Sequence, residues 1–98
     1  MINKTKTEMT EAWAEYDKAY AALRDGRTAI VARREAEITK LETAIRTAPD
    51  GAAHDAAYTA WRDGRKTLHA EAEAEVTKLV NAVRAAHDRL TALENAAR

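Results

Sequence analysis

The chain has 98 residues, which makes one domain at most. Of its 45 hydrophobic residues 24 are Ala and none is Phe, so a monomer can bury only a thin core, and close helix packing or oligomerisation has to add stability. Basic and acidic side chains number 16 each, nine against eight over residues 1–49 and seven against eight over 50–98, which argues against a broad basic face for a phosphate backbone and against an acidic nucleic-acid mimic.

There is no Cys, which excludes disulfides and thiolate chemistry and leaves the compartment open. No apolar run comes after Met1-Ile2-Asn3-Lys4-Thr5-Lys6, so no signal peptide is expected. No uncharged apolar stretch approaches the roughly 18 residues a membrane span needs. A cytoplasmic protein is the expectation, and the bias to Ala, Arg, Thr and Asp points to a high-GC bacterial or phage genome.

Ala, Glu, Arg, Lys and Leu dominate and all favour helix, while Pro occurs once and Gly three times. The first helix is predicted from about residue 5 to 48. Thr5-Lys6-Thr7-Glu8 has the Thr-x-x-Glu capping pattern. Its larger apolar residues, Met9, Trp13, Tyr16, Tyr20, Leu23, Ile30, Val31, Ile38, Leu41 and Ile45, fall at spacings of a helix and not of a strand. Pro49-Asp50-Gly51 breaks the pattern: Pro49 disfavours helix at the residue before it, Gly51 suits a turn, and Asp50 is placed to cap the next helix. That second helix is predicted from about 52 to 97, with Tyr58, Trp61, Leu68, Val76, Leu79, Val80, Val83, Leu90 and Leu93 as its larger apolar residues. At 1.5 Å per residue each helix is roughly 65 Å long.

The two helices carry a duplication. Residues 16–50 align without a gap on 54–88 at an offset of 38, with 19 identities over 35 positions, only six of them Ala on Ala. Tyr20-Ala21-Ala22-Leu23-Arg24-Asp25-Gly26-Arg27 returns as Tyr58-Thr59-Ala60-Trp61-Arg62-Asp63-Gly64-Arg65. The heptad positions 13, 16, 20, 23, 27 and 30 give way to 31, 34, 38, 41, 45 and 48, a four-residue stutter near Gly26 that recurs after Gly64. A helix continuous through each glycine is the first reading, and breaks at both, giving four shorter helices, are the alternative. Folding the repeat on Asp50 pairs residues whose numbers add to about 100 and sets Val31 and His69 beside a pseudo-twofold axis, with His69 interior or half-buried. Arg24 and Arg27 then face Glu73 and Glu75, while Arg62 and Arg65 face Glu35 and Glu37. The expected fold is therefore all-α: a long antiparallel, coiled-coil-like helical hairpin, assembling as a homodimer into a four-helix bundle that covers the surplus apolar stripe.

Chemistry-bearing motifs are sparse. There is no Ser and no Cys, and His is scattered, so no nucleophile triad is indicated and no catalytic residue is assigned. Glu-x-x-His, the signature of carboxylate-bridged di-iron bundles, is missing, and His69 with Glu73 is one weak pair, so no metal or cofactor is assigned. Trp61-Arg62-Asp63-Gly64 is the nearest approach to a Trp-x-Gly motif, and a hairpin of this size resembles the small secreted Trp-x-Gly proteins of actinobacteria and their relatives. Those carry the motif in the turn and a Tyr-x-x-x-Asp/Glu tail signal. Here the turn is Pro49-Asp50-Gly51 and the tail signal is missing, so membership is not assigned.

The sequence thus reads as a non-enzymatic structural or interaction module that self-associates and binds a protein partner through a helical face, with Arg24, Arg27, Trp61, Arg62 and Arg65 as the contact residues. Nucleic-acid binding through Arg24, Arg27, Arg33, Arg34, Arg62, Arg65 and Lys66 is the alternative, and a metal-loaded bundle comes third.

Overall fold

The computed structural model describes residues 2–98, with side chains from Thr5 onward. It contains two α-helices, α1 (Ile2–Thr47) and α2 (Gly51–Ala97), joined at the Pro49 turn into an all-α hairpin. α1 already includes Thr5, so Thr5-Lys6-Thr7-Glu8 lies inside the helix and does not start it. Thr side chains throughout the helices turn back on the preceding turn: Thr10 Oγ1 donates to the Lys6 carbonyl at 3.0 Å and Thr39 Oγ1 to the Glu35 carbonyl at 2.9 Å. That bond satisfies the hydroxyl locally and lets a β-branched polar residue sit mid-helix.

The turn is built as its residues dictate. Ala48 N–H donates to the Ile45 carbonyl in a tighter final turn, and Pro49 has no N–H with which to continue. Asp50 then caps α2, its Oδ1 accepting from Ala53 N–H at 2.7 Å while its carbonyl accepts from His54 N–H at 2.8 Å. α1 runs through Gly26 and α2 through Gly64 in ordinary helical conformation, and no described glycine has positive φ.

The chain divides into two compact units, each holding a segment of both helices. The first joins α1 as far as Arg27 to Val76–Arg98, and the second is Thr28–Glu75. In the first unit the helices run antiparallel, with Arg89 Nη1 on Glu15 Oε2 at 2.5 Å and Leu79 over Gly26. Ala12 and Leu90 are its buried apolar residues. The inward positions of α1 here are Ala12, Tyr16, Ala19, Leu23 and Gly26, whereas Trp13, Tyr20 and Arg27 lie outside. The heptad read from the larger side chains is therefore rotated by one position at every other contact. Small residues win the inward places because they let backbones approach, and a Cβ on Gly26 would meet Leu79 Cδ1 at 2.6 Å. The two displaced aromatics pack against the inward Tyr16, Trp13 edge-on at 5.9 Å and Tyr20 stacked at 6.3 Å.

The second unit is also antiparallel. Leu41 sits over Gly64, where an added Cβ would lie 2.9 Å from its Cδ1, and Arg33 Nη2 donates to both carboxylate oxygens of Glu75 at 2.8 and 2.7 Å. Ile30 and Ala72 are its buried residues. Leu41 and Gly64 add to 105 and not to about 100, so the centre of the repeat moves from Val31 and His69 to the neighbourhood of Arg33–Arg34 and Glu71–Ala72. Val31 is accordingly exposed, and His69, expected interior or half-buried, is exposed with Nε2 on Glu73 Oε1 at 3.1 Å. Of the expected charge alignment, Arg62 and Arg65 share one hollow with Glu35, but the ion pairs that form are others: Glu75 takes Arg33, and Arg62 Nε takes its neighbour Asp63 at 3.4 Å.

Candidate functional site

A broad hollow on the second unit lies between α1 and α2. Arg34, Glu35 and Ile38 come from α1; Trp61, Arg62, Arg65, Lys66 and His69 come from α2, and together they surround about 620 Å³. The α2 residues recur at intervals of three and four, which places them on one helix face. Ile38 and Trp61 are half-buried and make the floor, while Arg62, Arg65 and Lys66 are exposed at the rim. Four formal positive charges (Arg34, Arg62, Arg65, Lys66) meet one negative charge, Glu35. Gly64, three residues from Trp61, lets α2 approach α1 closely at Leu41.

Trp61 organises the site. Arg65 Cζ lies 5.3 Å from its ring centroid, a cation–π contact, and the Tyr58 ring lies 5.5 Å away at an interplanar angle of 38°. Its Nε1–H is buried and has no acceptor among the described residues, a state that costs about 1–3 kcal/mol in general. A second, more apolar hollow of about 420 Å³ adjoins it, lined by Ile45, His54, Tyr58 and Trp61 with Glu42 and Arg46 at its edge. Trp61 is the wall common to both.

Of the five residues singled out from sequence, Trp61, Arg62 and Arg65 come together here. Arg24 and Arg27 belong to the first unit. Arg24 Nε pairs with Asp25 Oδ1 at 3.3 Å and the side chain borders a hollow of about 480 Å³ with Tyr16, Asp17 and Tyr20, while Arg27 is exposed. The contact set drawn from the motif missed Ile38 and His69, and Arg34 and Lys66 entered only with the nucleic-acid alternative. Lys66 and His69 follow from Trp61 and Arg62 by helical spacing, and the α1 residues follow from the antiparallel register once it is corrected to the Leu41–Gly64 alignment.

In the first unit, the hydrogen-bonded carboxylate of Glu15 pushes the Arg89 guanidinium above its already high ordinary pKa, so this pair is charged wherever the carboxylate is ionised. Tyr16 and His87 approach across the same unit, with ring centroids 6.2 Å apart. Among the described residues no three His, Asp or Glu side chains gather into a metal-holding group, and no helix is long and apolar enough to cross a membrane. No known family model, curated protein or solved structure matches the chain.

Proposed function

We propose that this chain is a non-enzymatic helical interaction module that self-associates and receives a protein partner on the Trp61 face. One observation carries the reading. Among the described residues only Ala12, Ile30, Ala72 and Leu90 are buried, whereas Trp13, Tyr20, Val31 and Tyr58 keep 48, 54, 42 and 49 % of their surface exposed. Apolar area left in water forgoes about 25 cal/mol per Å², and a hairpin whose buried residues are half Ala has little to compensate. Covering the exposed aromatics with a second copy is the simplest remedy, and two hairpins then make a four-helix bundle.

Sedimentation velocity tests this. A dimer at micromolar concentrations, weakened by Tyr20→Glu and Tyr58→Glu, is the expected result. A monomer throughout that range refutes self-association.

A further inference from the structure

Resting on the reading of the chain as an interaction module, we infer that the Trp61 groove takes an acidic peptide segment of a partner protein, a large aliphatic side chain flanked by carboxylates. Arg34, Arg62, Arg65 and Lys66 give the hollow four positive charges against the single carboxylate of Glu35, and guanidinium forks match carboxylates in a bidentate geometry. Ile38 and Trp61 give the same hollow an apolar floor. A ligand that satisfies both halves is amphipathic and anionic.

The geometry of the groove also separates this occupant from its rivals. Base stacking needs an open aromatic face, and the Trp61 ring is already crowded by Arg65 at 5.3 Å and Tyr58 at 5.5 Å. Glu35 in the wall and Asp63 beside Arg62 interrupt the positive field, which disfavours a continuous polyanion but leaves room for spaced carboxylates. The acidic run of a second copy, Glu71-Ala72-Glu73-Ala74-Glu75, has two of its three carboxylates already engaged, Glu73 by His69 and Glu75 by Arg33. A peptide with free carboxylates and a large aliphatic side chain is the better complement.

The test uses the full chain and a fluorescein-labelled peptide, Glu-Asp-Leu-Glu-Asp, with binding read by fluorescence anisotropy. Saturable binding below about 1 mM is expected. Affinity should fall at least about tenfold when the acids become Gln and Asn, when Leu becomes Ser, or in the double variant Arg62→Glu, Lys66→Glu. Arg62→Lys should lose less affinity than the charge reversal does, because the charge survives while the bidentate fork is lost. Both reversed residues are exposed, and thermal melting of the double variant confirms that the fold persists. The inference is overturned by any of four results: no saturation, equal binding of the neutral peptide, indifference to the charge reversal, or tighter binding of a short oligothymidylate that the same variants abolish. It is equally overturned if the double variant turns a wild-type dimer into a monomer, since the groove is then the contact between copies. Wild-type sedimentation keeps the two readings apart: a dimer that ignores the peptide sinks this inference alone, whereas a monomer sinks self-association whatever the peptide does.

Discussion

Gly26 and Gly64 occupy equivalent places in the repeat, and each is met by the equivalent leucine, Leu79 or Leu41. Two opposing effects decide what a side chain does there. Ala favours helix over Gly by about 1 kcal/mol, but its Cβ would stand 2.6 Å from Leu79 Cδ1 at Gly26 and 2.9 Å from Leu41 Cδ1 at Gly64. Both obstacles are the ends of flexible side chains, so Gly64→Ala should leave the melting temperature unchanged or raise it, and Gly26→Ala should gain less. Gly26→Leu overfills the seam and should cost about 1–3 kcal/mol by denaturant unfolding. The Arg33–Glu75 pair joins one guanidinium nitrogen to both carboxylate oxygens and is open to solvent on both sides, so Arg33→Ala should cost about 0.2–1 kcal/mol, less at high salt. If Gly26→Leu melts like the parent chain, the close approach of Leu79 has no energetic meaning.

At the scale of the helices, the turn was legible and the seam was not. Pro49 ends α1 and Asp50 caps α2 for local reasons, through a missing donor and a side-chain acceptor three residues from Ala53 N–H. Asp50→Ala should therefore cost about 1 kcal/mol, with faster amide exchange at Ala53 as the local signature. The seam depends on which residues face inward, and size misleads there. Trp13 and Tyr20 look like core by spacing, yet Ala12 and Ala19 take the inward places because tight helix approach favours small side chains. The buried aliphatics that remain are correspondingly valuable. Leu90→Ala and Ile30→Ala should each cost about 2–4 kcal/mol, several times any surface change, as read by urea unfolding.

For the whole molecule, the thin core makes stability a question of concentration. If copies of the chain cover one another's aromatics, the melting temperature should rise with protein concentration, and the dependence should vanish in the Tyr20→Glu, Tyr58→Glu variant. A melting temperature independent of concentration would instead assign the exposed rings to another partner or to solvent. The composition, the capping chemistry of Asp50 and the duplication determined by themselves that the chain is helical and folds back at Pro49, because propensity, caps and breaks act within a few residues. The antiparallel register was decided only by tertiary structure. Leu41 seats on Gly64 and Leu79 on Gly26, which moves the centre of the repeat to Arg33–Arg34 and Glu71–Ala72. The groove was decided at the same level. Arg34 and Ile38 join Trp61, Arg62 and Lys66 only because side-chain shape sets how closely and in what alignment the helices pack, and no spacing along one stretch of sequence records that fit.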